Sequence, residues 1–246
     1  MKYFLRTIVL TALLFSGCQT NQAPKTGEEK AKPGESATIS HAEPASENAL
    51  TMKDQKPRTT EEKTTSTLFR RGLELSKAEK YQEAIDYFNR ALETDPDNSR
   101  IIFNRGFAYY SMKNYDLALS DFSRVLSKNP SDTMAWLHSG LAKYYREDYQ
   151  GAFQDYTNAI LKSNGFSKAF YNRGIARGQL KDYRGAVEDF TKAITLSPDY
   201  PDAYFNRGIA NFYSRDTVQA CQDWREAKAL GSFKAQEALN YYCGGQ

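Results

Sequence analysis

The chain is 246 residues long, 40% hydrophobic and 26% charged, with 33 Lys and Arg against 30 Asp and Glu and a formal net charge of +3. So even a balance gives bulk electrostatics little with which to hold nucleic acid or an anionic membrane. There are only two histidines and three cysteines; no His/Cys/Asp cluster has metal-ligand spacing and no Gly-rich loop follows a strand, so no metal, cofactor or small-molecule substrate is expected.

In chain order, residues 1–17 read as a secretory signal, with Lys2 and Arg6 as its charged start and Ile8 to Phe15 as a short apolar core. That core is shorter than the roughly 20 apolar residues of a membrane-spanning helix. Ser16, Gly17 and Cys18 follow, and the trio resembles the bacterial lipobox, in which the cysteine is lipidated and becomes the mature N-terminus. Phe15 stands where the lipobox has leucine, with Leu14 one residue earlier. The other reading is an ordinary cleaved signal with an incidental cysteine. Residues 18–64 are rich in Glu, Lys, Thr, Ser, Ala and Pro and almost free of large apolar groups. They cannot bury enough surface to offset the entropy of ordering. As a flexible tether of about 45 residues they would reach on the order of 35–40 Å. Loss of Lys2 and Arg6 leaves a net charge of +1, and membrane attachment then rests on Cys18 alone.

From here on the chain is periodic. Gly72, Gly106, Gly140, Gly174 and Gly208 each stand 34 residues after the last, which implies stacked copies of one supersecondary unit. Twelve residues after each glycine comes Ala84, Ala118, Ala152, Ala186 or Ala220, and four further on an aromatic ring: Phe88, Phe122, Tyr156, Phe190, Trp224. A small apolar residue follows (Ala91, Val125, Ala159, Ala193, Ala227), then Pro96, Pro130 and Pro198, with Asn164 and Ser232 in the matching slots. Tyr81, Tyr115, Tyr149 and Tyr183 share a further column, broken by Thr217. Ala118, Phe122 and Val125 fall at i, i+4 and i+7, one face of a helix. Glycine and alanine sit where two helix axes approach closest, and each proline marks a helix end. The spacing predicts two helices per unit.

These columns, with Trp136, Phe170 and Tyr204 near the starts of units, resemble tetratricopeptide repeats. The stretches YNRGIARGQLKDYRGAVEDFTKAITLSP and AYFNRGIANFY are especially similar to bacterial members. Lys143, Arg177 and Asn211 depart from the family, standing where an aromatic is usual. The resemblance implies an all-α superhelical solenoid of five helix–turn–helix repeats, at 65–98, 99–132, 133–166, 167–200 and 201–232, with a capping helix and tail over 233–246. Ala235, Ala238, Leu239 and Tyr242 give that last helix its apolar face; such a cap keeps the open end of a stack soluble.

In that family the first helix of each unit lines a concave groove that takes a protein or peptide. The columns carried over are Phe69, Phe103, Leu137, Tyr171 and Phe205, then Leu73, Phe107, Leu141, Ile175 and Ile209, expected to be mainly packing. Tyr110, Tyr144, Tyr145, Phe212 and Tyr213 are expected on the surface, where a ring with a polar tip suits binding. Asn104, Asn172 and Asn206 share a column with Arg70 and His138. Asparagine there hydrogen-bonds a ligand backbone in peptide-binding relatives; alternatively it bridges helices within the repeat, or is simply inherited consensus. The lysines and arginines of carboxylate-gripping relatives are replaced here by Tyr, Leu and Phe.

Two columns bear charge. Asp121, Asp155, Asp189 and Asp223 recur every 34 residues, and Arg71, Arg105, Arg173 and Arg207 also recur; the two columns are expected to pair as solvated or structural salt bridges, worth about 0–1 kcal/mol each when exposed. Cys221 lies ten residues before Gly231 and Cys243 eleven after Ser232, so two antiparallel helices would bring them side by side. In an exported protein that means a disulfide; otherwise Cys221 is a buried thiol in a column of Ile85, Leu119, Phe153 and Val187. The expected function is a non-catalytic, lipid-anchored adaptor in the bacterial envelope, at the outer membrane by resemblance, with a structural subunit of a secretion or pilus assembly as the alternative and an envelope enzyme a distant third.

Overall fold

The computed structural model describes residues 64–244. The expected signal over 1–17, Cys18 and the tether up to residue 63 lie outside the described residues. Eleven helices and no strand occur among them: α1 (Thr65–Lys77), α2 (Tyr81–Thr94), α3 (Ser99–Ser111), α4 (Tyr115–Lys128), α5 (Thr133–Tyr145), α6 (Tyr149–Lys162), α7 (Ser167–Gln179), α8 (Tyr183–Leu196), α9 (Pro201–Tyr213), α10 (Thr217–Ala229) and α11 (Phe233–Tyr242). None is long and apolar enough to cross a membrane.

Helix starts are written into single residues. The side chains of Asn98 and Asp132 accept from the amides of Arg100 and Ile101, and of Met134 and Ala135. Asp148, Asp182 and Asp216 accept in the same way from Gly151, Gly185 and Gln219 at the heads of the second helices α6, α8 and α10. Each satisfies amides that the first helical turn leaves without partners. Pro201 opens α9 where its missing amide costs nothing. Pro96, Pro130 and Pro198 lie exposed in the turns after α2, α4 and α8.

Within a unit the pair is closed by a Schellman turn. The amides of Asn114, Asp148, Asp182 and Asp216 reach back to the carbonyls of Tyr109, Lys143, Arg177 and Asn211 at 2.9 Å. Each turn needs one left-handed residue, and the chain supplies Glu79, Lys113, Glu147, Lys181 and Arg215, with φ between 60° and 70°. Glycine is the usual occupant; here only the turn after α10 has one, Gly231 at φ 94°.

The glycine column holds the two helices together. A Cβ on Gly140 would sit 2.5 Å from Tyr156 Cε1, and one on Gly174 2.8 Å from Phe190 Cε1. The aromatic ring of each second helix thus packs against the bare backbone of its first helix, and Phe88, Phe122, Tyr156 and Trp224 are wholly buried. Each second helix then packs on the first helix of the following unit, and consecutive first helices also touch. The first helices therefore form the inner face of the curve and the second helices the outer. The molecule is an all-α superhelical solenoid.

Between the helices runs a polar seam. Arg105, Arg173 and Arg207 grip Asp121, Asp189 and Asp223 through Nε and Nη2 at 2.6–3.1 Å. Of the two expectations, solvated or structural, the pairs are structural: the aspartates are only 1–2% exposed. The guanidinium fork matches a carboxylate in two bonds, and removing one partner would strand a buried charge. Arg71 stands outside the pattern and meets exposed Glu74 instead, at 3.1 Å, because Tyr87 occupies the aspartate slot of its unit. At the far end Cys221 and Cys243 are joined as a disulfide with Cα atoms 5.9 Å apart. It ties α11 to α10 over a core of Phe205, Ile209, Trp224 and Ala238.

Candidate partner-binding face

The inner face carries the candidate residues, but at different depths. Leu137, Tyr171 and Phe205 are 2–4% exposed and serve as wall, as expected of their column. Phe103 is half-buried and packs its ring 5.6 Å from that of Phe122. Tyr144 was expected on the surface and is not there. It is buried, its hydroxyl accepts from Gln179 Nε2 at 3.3 Å, and its ring meets Tyr149 at 5.3 Å. The physical reason is the position of α7, whose last turn closes over it.

Tyr110, Tyr145, Phe212 and Tyr213 remain half-open, and they do not stand alone. The Tyr145 ring stacks on Tyr115 at 5.7 Å and 9°, and Tyr213 stacks on Tyr183 at 4.9 Å and 14°. Tyr110 closes the first of these groups, 5.9 Å from both Tyr115 and Tyr145. The partner ring in each stack comes from the start of the preceding unit's second helix. Tyr115, Tyr149 and Tyr183 are thus face residues absent from the candidate set. Their signal was the 34-residue tyrosine column, visible in the chain but not connected to the groove. Burial raises the phenol pKa of Tyr115, Tyr149 and Tyr213, so these hydroxyls stay protonated and able to donate at neutral pH.

The asparagine column is turned inward. Asn104 and Asn172 donate from Nδ2 to the carbonyls of Arg100 and Lys168 at 2.7 Å, and Asn206 to Asp202 at 2.9 Å. Asn206 also donates to the Tyr171 hydroxyl at 3.0 Å, bridging two units. Asn206 is 3% exposed, so it is a tie between helices and cannot also clamp a ligand backbone. Asn104 alone of the three is half-open. His138, in the same column, sits edge-on to Phe103 and Phe107 at 5.5 and 5.4 Å. Burial pulls its pKa down from 6.5 to about 4, leaving it neutral.

Unit three differs in its seam as well. Ser139 replaces the arginine, donating to Asp155 at 2.6 Å, while Lys143 Nζ reaches the same carboxylate at 2.9 Å. Burial outweighs both partners and raises the Asp155 pKa. No group of three or more His, Cys, Asp or Glu that would hold a metal occurs among the described residues. What the face offers is apolar rings with hydroxyl tips, arranged in tiers along the curve. Such a surface can bury a chain segment and hydrogen-bond its backbone.

A family model for the tetratricopeptide repeat matches residues 66–98, 99–132 and 167–200. A search of curated proteins finds no match. Among solved structures, a crystal structure of MamA protein aligns with a TM-score of 0.62 at 19% identity, over 73% of this chain and 96% of its own. MamA from residue 41 to its end, from Desulfovibrio magneticus RS-1, gives 0.64 at 18%, over 68% and 94%. YrrB, described as a TPR protein with an unusual peptide-binding site, gives 0.61 at 17%, over 73% and 93%. At these identities the likeness is one of fold.

Proposed function

Because the chain is a tetratricopeptide-repeat protein, we propose that it is a non-catalytic adaptor of the bacterial envelope, holding a peptide or protein segment against its inner face while tethered at the outer membrane through lipidated Cys18. The observation that carries the reading is the pair of tyrosine stacks, Tyr115–Tyr145 and Tyr183–Tyr213, standing half-open between a second helix and the first helix of the next unit. YrrB, of similar fold, is described as having a peptide-binding site, and repeats of this kind offer long surfaces to partners. The signal-like start and the Ser16-Gly17-Cys18 sequence support export and anchoring. A photoreactive residue at position 145, crosslinked in intact cells and followed by mass spectrometry, should trap a specific partner. Tyr115→Ala or Tyr213→Ala should release that partner while the helical content stays unchanged; capture unaffected by either change would overturn the reading.

A permanent subunit of an envelope assembly is the second reading. It is favoured by Phe233, 85% exposed, and Tyr241, 54% exposed, on the end helix α11. A detergent extract in which the native protein never runs as a monomer, and in which Phe233→Ser frees it, would favour that role over the adaptor.

A further inference from the structure

The joints between successive units are built alike, with one exception. Arg105 Nη1 donates back to Asn89 of unit one at 2.8 Å, Arg173 Nη1 to Thr157 of unit three at 3.3 Å, and Arg207 Nη1 to Thr191 of unit four at 3.1 Å. Each arginine therefore staples three helices: its own, its partner within the unit and the one before. Between units two and three the arginine is missing. Ser139 is too short to reach back, and its hydroxyl is committed to Asp155. The ion pair crossing that joint, Arg146 to Asp116 at 3.3 Å, has both side chains open to solvent and contributes little.

His138 occupies the centre of this joint. Its ring lies 5.5 Å from Phe103, 5.4 Å from Phe107 and 6.2 Å from Tyr110 on α3, and 5.8 Å from Phe122 on α4. Nδ1 is buried and has no hydrogen-bond partner. That arrangement tolerates only a bare lone pair at Nδ1; a proton there would be a donor with nothing to accept it, carried on a new charge among aromatic rings. The surrounding charges are few. Lys168 on α7 disfavours the cation, and Asp132 at the head of α5 favours it, although that carboxylate already accepts from two amides. Asp121 on α4 is held by Arg105, and Asp155 on α6 by Lys143 and Ser139.

We propose that the joint between the second and third units is a proton-operated hinge, closed while the His138 ring is neutral and loosened when Nδ1 takes up a proton. The other joints hold through arginine staples and Asn206, none of which changes charge in mildly acidic solution. The same joint carries the Tyr110–Tyr115–Tyr145 group, so opening it alters the curvature of the inner face where that group stands. The sign follows from linkage. A histidine held below its unfolded value binds its proton more readily once the joint opens, so closure is fully favoured above about pH 6.5 and weakens as pH falls toward 4.

Hydrogen exchange on the full chain, corrected for intrinsic rates, tests this. Between about pH 7 and about pH 5, protection over α4 and α5 should fall roughly tenfold or more, while α8 and α9 change little. His138→Asn, the residue of three sister units, should abolish the difference. Ser139→Arg, which restores a staple toward Asp155 and Ser123, should shrink it. If the asparagine variant folds poorly, proton NMR of the two imidazoles in the native chain decides the matter, since His138 must titrate well below His41. A uniform loss of protection at all joints, persistence of the effect in His138→Asn, or an ordinary titration of His138 would overturn the proposal.

Discussion

A single hydrogen in place of a methyl group decides the geometry of each repeat. Gly140 and Gly178 are both helical glycines of first helices, yet they answer different needs. At Gly140 a Cβ would press to 2.5 Å from the Tyr156 ring, which is wholly buried and has nowhere to move. Gly140→Ala should therefore cost about 1–3 kcal/mol through overpacking. At Gly178 nothing lies within 4 Å, so Gly178→Ala should add about 0.5–1 kcal/mol by restricting the unfolded chain. Urea unfolding of the two variants checks both signs; equal effects would contradict this account of the column. The period in the sequence singled out Gly140 and left Gly178 unmarked, because only a residue that faces a neighbouring ring must recur with it. The sequence could not grade the tyrosines in this way. Tyr144 and Tyr145 are adjacent and chemically identical, and only the arrival of α7 buries the first while the second stays half-open.

Helices end where the chain pays a conformational penalty, and the repeat pays it five times. Glu79, Lys113, Glu147, Lys181 and Arg215 each adopt a left-handed conformation, which is unfavourable for a residue with a Cβ. The return is the Schellman turn, which satisfies orphan carbonyls and aims the second helix back along the first. Replacing Lys113 by Gly should relieve that conformation at a site that is exposed. The gain should be about 0.5–1 kcal/mol after glycine's own entropy is counted, read as a shift in the thermal or urea midpoint. A loss of stability would mean that the Lys113 side chain contributes more than its backbone costs. These positions form a 34-residue column of exposed, charged residues, but charge carries no sign of a left-handed backbone, and the glycine that would have signalled one is absent. The helix starts were more legible: Asn98, Asp132, Asp148 and Asp182 are the acceptors that the first turn requires.

At the scale of the molecule, the stack must be finished at its open end. The last unit leaves Trp224 and Phe205 facing outward until α11 covers them, and the Cys221–Cys243 bridge holds that short helix in place. Closing a loop of 22 residues should contribute about 3 kcal/mol by restricting the unfolded chain. Cys243→Ser should thus lower stability by about 2–4 kcal/mol, with the loss of protection concentrated in α10 and α11. Unchanged unfolding in the variant would show that the aromatic contacts of Tyr242 with Phe212 and Trp224, at 4.7 and 5.7 Å, suffice alone. In a solenoid each unit touches only its neighbours, so such losses should remain local to the end that bears them.

The sequence by itself determined the all-helical class, the length of the unit, its repetition and the identity of the residues at each close approach. It could do so because a 34-residue recurrence multiplies every weak local preference by the number of copies. The tertiary structure alone decided which tyrosines stay open, that the asparagines turn back onto their own helices, that the Arg–Asp pairs are buried, and that the His138 ring packs among the aromatics of the preceding unit at the joint where Ser139 breaks the arginine column. Those outcomes depend on contacts between neighbouring units, and a column of like residues carries no record of how deeply the next helix covers each one.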